Sequence, residues 1–105
     1  MAYRVVLSRR ALADLSRLYK RIGARENDEA RVWFEGLETR IRNLDENPRR
    51  GVSMREDGQR RQLVYGQGRN IYRVIYEVDV ESLLVKVLHV RFGARKDFDP
   101  KAISQ

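Results

Sequence analysis

The chain has no cysteine, a single histidine (His89) and two prolines among its 105 residues. Without cysteine, disulfides and thiolate metal sites are excluded, and a zinc site would have to lean on carboxylates around the one histidine. No metal or cofactor is expected, with carboxylate-held magnesium the one form left open. Long apolar runs are missing too. The N-terminal MAYRVVLSRR is too short in apolar residues for a secretory signal, and nothing approaches the roughly 18 apolar residues of a membrane-spanning helix. These absences lead to the expectation of a soluble, cytoplasmic protein.

What is present in excess is positive charge, with 22 lysines and arginines against 15 acidic residues and a formal net charge of +7. Such a balance favours an anionic partner, whether nucleic acid, a ribosome or an acidic protein, and does not choose among them. A chain of this length suits one compact domain, here residues 1–105, burying roughly 60–70% of the unfolded surface.

Tyr3 to Leu7 is short, β-branched and apolar, and predicts a strand. Ser8 suits the N-cap of a following helix, in which Leu12, Leu15, Leu18 and Ile22 form one stripe and Arg10, Asp14, Arg17 and Arg21 face away. Gly23 is a natural stop, and Asn27 or Asp28 can cap a second helix. Its stripe is Ala30, Phe34, Leu37, Ile41 and Leu44, with Trp33 alongside, and Asn47-Pro48 ends it. The two make a helical hairpin that needs a sheet to cover its apolar face.

The C-terminal half supplies one: strands are predicted at Gln62–Tyr65, Ile71–Val78 and Leu83–Phe92, as an antiparallel three-stranded meander. In the middle strand Tyr72, Val74, Tyr76 and Val78 share the better core face, opposite Ile71, Arg73, Ile75 and Glu77. The last strand leaves two alternations open: Leu84, Lys86, Leu88, Val90 and Phe92 on one face, or Leu83, Val85, Val87, His89 and Arg91. The expected class is α+β, a twisted sheet with both helices on one face. Residues 97–105, which include Pro100, are expected to be a poorly ordered tail in the isolated protein.

Arginines 49, 50, 55, 60, 61, 69 and 73 stand against only Glu56 and Asp57, a density that suits phosphate or carboxylate partners but also an ordinary solvated loop. Arg73 sits mid-strand, where it either marks an uncovered sheet face or pairs with Glu77 or an acid on a neighbouring strand. His89 titrates near neutrality and is either a proton carrier or a packed strand residue, with Arg91 or Arg95 pushing it toward its neutral form. Gly93 permits a bend that would aim Arg95 and Lys96 toward Arg73.

The order of motifs is distinctive: Leu44-x-x-Asn47-Pro48-x-x-Gly51, Arg60-Arg61-x-Leu63, Tyr72-Arg73-Val74-Ile75-Tyr76, and Val87-Leu88-His89-Val90-Arg91-Phe92-Gly93-Ala94-Arg95. From Tyr3 to about Asp97 the chain resembles the RelE/ParE superfamily of type II toxin-antitoxin toxins. The resemblance implies an antitoxin whose C-terminal segment wraps and neutralises the chain. It also implies one of two targets: DNA gyrase for the ParE-like branch, or messenger RNA cut on the ribosome for the RelE-like branch.

Arg73 and Arg95 match arginines shared across both branches. The RelE-like pattern also uses lysines on the strand before Tyr-Arg and a terminal Tyr or His; here that strand reads Arg61-Gln62-Leu63-Val64-Tyr65, and nothing of the kind follows His89. Arginine is a poor general base, which leaves His89, Tyr65, Tyr72 and Tyr76 as proton carriers for a metal-independent endoribonuclease. The Arg91-x-Gly93-Ala94-Arg95 ending favours the ParE-like side, although Phe92 stands where many relatives have histidine. The expected contact residues are Arg60, Arg61, Arg73, Arg91 and Arg95. For a nuclease, Arg73 and Arg95 would hold the phosphate and His89 would move the proton. Trp33 and Leu37 belong either to the core or to the surface an antitoxin covers.

Overall fold

In the computed structural model of the chain, which describes residues 2–54 and 59–93, each helix begins and ends where its loose backbone groups find partners. Strand β1 (Arg4–Leu7) runs into Ser8, whose hydroxyl accepts from the Ala11 amide at 3.0 Å and starts helix α1 (Arg9–Arg21). Beyond α1, Gly23 adopts φ 70°, and the amides of Gly23 and Ala24 return to the carbonyls of Lys20 and Tyr19, both at 3.1 Å. Only glycine takes that left-handed turn without cost. Asn27 caps helix α2 (Asp28–Arg42) through the Ala30 amide, and Asp28 and Glu29 in its first turn complement the helix dipole.

Four further strands follow: β2 (Val52–Ser53), β3 (Arg60–Gln67), β4 (Asn70–Asp79) and β5 (Leu84–Phe92). The predicted meander is β3-β4-β5, but the sheet is wider and mixed, in the order β1-β5-β4-β3-β2. β1 joins in parallel beside β5, a pairing that needs a long crossover, and the helical hairpin is part of it. The two-residue β2 was not legible in the sequence, being too short to show alternation.

One face of the sheet meets the hairpin. Leu63, Tyr72, Val74, Tyr76, Val78, Val85, Val87 and Val90 pack against Ala11, Leu15, Leu18, Phe34, Leu37, Ile41 and Leu44. The β4 alternation is as predicted. Helix α1 is rotated from its predicted stripe: Ala11 is buried and Leu12 is 56% exposed. The cause is a contact distant in sequence: Asp14 turns toward the sheet and its carboxylate accepts the Val90 amide at 2.9 Å, while Ala11 leaves room for the close approach.

Both open alternations of β5 hold, each over half of the strand. Ile75 pairs with His89 but Tyr76 pairs with Val87, so Leu88 is an extra residue in a bulge. Val85 and Val87 face the core before it, Val90 after it. The Asn47-Pro48-x-x-Gly51 motif also has a structural reason: the buried Tyr76 hydroxyl donates to the Pro48 carbonyl at 2.7 Å and accepts from the Gly51 amide at 2.8 Å. A Cβ at Gly51 would meet that hydroxyl at 2.7 Å and the Gln62 carbonyl at 2.6 Å. Arg55, Arg95, Lys96 and the predicted tail 97–105 lie outside the described residues.

Candidate functional site: the sheet face opposite the helices

Cross-strand register places three rows on the face turned from the hairpin. They are Arg60-Glu77-Lys86, Gln62-Ile75-His89 and Val64-Arg73-Arg91. Three of the predicted contact arginines, 60, 73 and 91, therefore share one face, together with His89. Their circumstances differ sharply.

Arg60 is tied to Glu77 by an ion pair of 2.8 Å. Glu77 was a predicted partner for Arg73; it is taken by Arg60 instead, directly across the strands. Arg73 is 2% exposed, with its Nη1 donating to the Gln62 Oε1 at 2.8 Å and its Nε to the Gly93 carbonyl at 3.2 Å. The guanidinium thus links β3, β4 and the end of β5. Gln62 was not singled out from the sequence. Its spacing two residues from Arg60 puts it on this face, but a glutamine there gives no hint that it receives a buried arginine. Arg91, paired in register with Arg73, is exposed. Lys86 is exposed as well, at the other end of the face.

Arg61 departs from the expectation. Strand alternation sends it to the other face, where its Nη1 donates to the Gly51 carbonyl at 2.6 Å and to the Arg49 carbonyl at 3.3 Å. Adjacent arginines on a strand cannot form one contact patch. Arg95 lies outside the described residues.

His89 is half-buried, and among the described residues nothing hydrogen-bonds its buried Nδ1. Burial depresses its pKa first, with the positive charges of Arg10, Arg91 and Arg73 adding to the effect and Asp14 opposing it. The predicted direction is correct, but desolvation is the larger cause. The three tyrosines named as alternative proton carriers face the hairpin side. Tyr65 donates to the Trp33 carbonyl at 2.7 Å, and burial raises the pKa of both Tyr72 and Tyr76. Of the proton carriers named from the sequence, His89 is thus the one on the open face.

On the helical side, Leu37 is fully buried and offers no surface to a partner. Trp33 is half-buried, its ring 5.0 Å from that of Tyr65 and 5.6 Å from that of Tyr72. No helix among the described residues is long and apolar enough to cross a membrane, and no three acidic or histidine side chains gather as a metal-ligand set.

A helical hairpin on one side of a mixed sheet, with a basic face on the other, is the α+β architecture that the resemblance to the RelE/ParE superfamily implies. The model for the ParE toxin of type II toxin-antitoxin systems matches residues 5–97, and the chain belongs to that family. Among solved structures it is similar to a free mutant form of the E. coli toxin RelE, at 21% identity over 99% of this chain and 93% of that one, with a TM-score of 0.65. It is likewise similar to a chain of the chromosomal ParDE system of P. aeruginosa, at 15% identity over 89% and 98%, with a TM-score of 0.68. A chain of the RelBE2 toxin-antitoxin complex of Mycobacterium tuberculosis matches at 23% identity over 89% and 100%, with a TM-score of 0.58. A search of curated proteins finds no match.

Proposed function

We propose that this toxin arrests growth by binding DNA gyrase through the open sheet face, and that a cognate antitoxin neutralises it in the cytoplasm. The observation that most supports this is the position of Arg73. A guanidinium enclosed by Gln62 and the Gly93 carbonyl strengthens the sheet and is not presented to a scissile phosphate. Cleavage by the 2'-hydroxyl wants a proton acceptor, a proton donor and cationic stabilisation of the phosphorane. The described face supplies a single imidazole for the first two. What it does present, Arg91 and Lys86 in the open and Arg60 at its margin, suits contact with an acidic protein surface. The antitoxin follows from the similar chains that occur in ParDE and RelBE systems.

Purified protein should inhibit negative supercoiling by gyrase, and Arg91→Glu should raise the concentration required by roughly tenfold or more. Undiminished supercoiling at saturating folded protein would overturn the proposal.

One observation favours a second reading, a ribosome-dependent endoribonuclease: a half-buried imidazole on the open face, pushed toward its neutral form by burial and by Arg10 and Arg91, is suited to accept a proton. Codon-specific cuts in ribosome-bound message, abolished by His89→Ala, would establish it. A third, an inert module that merely sequesters an acidic partner, predicts normal growth when the folded chain is produced alone.

A further inference from the structure

Where β1 stops, helix α1 takes over the edge of β5. The parallel pairing ends at Leu7–Val87, and beyond it the Ser8 hydroxyl donates to the Leu88 carbonyl at 2.6 Å while the Asp14 carboxylate accepts the Val90 amide at 2.9 Å. These two contacts hold α1 against the stretch of strand that carries His89. Arg10 lies between them in sequence, a helical turn before Asp14, so both stand on one line of the helix. Its charge is the strongest that acts on His89, ahead of Arg91.

This corner holds more positive than negative charge. His89 and Arg91 share the open face beyond the bulge, and Arg10 approaches the same imidazole from across the strand edge. Asp14, the acid that acts on His89, is already engaged: one oxygen takes the Val90 amide and the other pairs with Arg17 at 2.7 Å. Arg10 and Arg91 are both exposed, and neither belongs to an ion pair among the described residues. Two guanidinium forks with donors to spare thus flank one imidazole.

We infer that the corner formed by Arg10, His89 and Arg91 receives a carboxylate of the target protein, an inference that deepens the gyrase reading given above and rests on it. Arg10 is then a contact residue, and the target surface extends off the sheet onto α1. A carboxylate suits the corner better than a nucleic-acid backbone does. Asp14 beside it and Glu77 at the other end of the face interrupt the positive charge, whereas a chain of phosphates needs a continuous basic track. A guanidinium matches a carboxylate through two parallel hydrogen bonds, and the imidazole adds a further donor when it takes up a proton.

Docking therefore moves a proton. In the free chain His89 faces Arg10 and Asp14 of α1, Arg73 of β4 and Arg91 of its own strand, and burial with the three cations pushes it toward the neutral form. A bound carboxylate offsets those cations and favours the imidazolium, so the complex takes up a proton. Affinity rises as pH falls through the titration of the bound state and levels below that of the free chain.

The sole histidine reports on this site directly, because its ring resonances can be followed by NMR in the full chain. At fixed ionic strength, tetra-aspartate should move the His89 titration to higher pH in the wild type and leave it in place in Arg10→Glu. Tetrathymidylate should move neither, and a shift with it alone would overturn the carboxylate in favour of nucleic acid. In supercoiling assays Arg10→Glu, with folding verified by circular dichroism, should need about tenfold more protein for the same inhibition. Arg10→Lys keeps the charge and loses the fork, and should fall between. Wild-type inhibition by folded Arg10→Glu would overturn the corner, as would a titration indifferent to tetra-aspartate. A wild-type protein that leaves gyrase active, yet shows the tetra-aspartate shift and loses it in Arg10→Glu, would overturn the target and leave the corner standing.

Discussion

At the scale of single residues, the polar side chains that most define this protein are enclosed ones. Tyr76 joins the loop after α2 to the centre of the sheet through two hydrogen bonds made by one hydroxyl. Tyr76→Phe leaves the Gly51 amide and the Pro48 carbonyl without that partner. Urea unfolding should show a loss of about 1–3 kcal/mol, and an unchanged midpoint would mean that water replaces the hydroxyl at no cost. Arg73 is similar in kind: a strand arginine reads equally as a binding group or a buried link, and only the position of Gln62 across the strands decides.

His89 gives a pH dependence of definite sign. Its pKa is lowered in the fold from the ordinary 6.5, so the unfolded chain takes up the proton more readily. The stability associated with the neutral imidazole is complete above the unfolded value. It is lost progressively as pH falls from there toward the folded pKa, and then levels. Unfolding free energies measured from about pH 8 to 5 should show this decline, and His89→Gln should flatten that part of the profile. An identical slope in the variant would assign the decline to other groups.

At the scale of elements, local chemistry was the legible part. Ser8, Gly23 and Asn27 mark helix ends by mechanisms that act within a few residues, and the structure uses each of them, whereas α2 stops at Arg42 and passes into a 3-10 turn at Asn43–Asp45, ahead of the expected stop at Asn47-Pro48. Facing and register were less legible, because they depend on contacts distant in sequence. Leu12 and Ala11 exchange places because of a hydrogen bond between Asp14 and a residue of β5 far along the chain. The Arg60-Arg61 pair looked like one patch until alternation was applied to it, a signal that the sequence did contain. The rest of the candidate site is a matter of cross-strand neighbours, which no single strand reveals.

The bulge at Leu88 reconciles the two alternations of β5. With Tyr76 paired to Val87 and Ile75 to His89, the valines on both sides of the irregularity face the core while His89 and Arg91 stay on the open face. Deleting Leu88 leaves those pairs consecutive and in simple alternation, so each remaining residue keeps its face, and what goes is the Leu88 carbonyl that accepts from the Ser8 hydroxyl at 2.6 Å. The deletion should keep a sharp thermal transition at a lowered midpoint. Loss of the cooperative transition would show that β5 needs the extra residue in order to pack.

At the scale of the whole molecule, the sheet separates two surfaces. The hairpin side has the core. The opposite side offers exposed cations around a histidine and an enclosed arginine. A protein with net charge +7 attracts acidic partners at long range, so they have to be distinguished by shape and by contact at close range. Family membership narrows the activity to that of a type II toxin. The composition of the open face then favours binding over hydrolysis.

The most direct measurement of that claim is a paired assay on one preparation of the purified toxin: gyrase-catalysed supercoiling, and integrity of a message on translating ribosomes. Supercoiling should be lost while the message stays whole. Intact supercoiling together with cuts at defined codons would contradict the account.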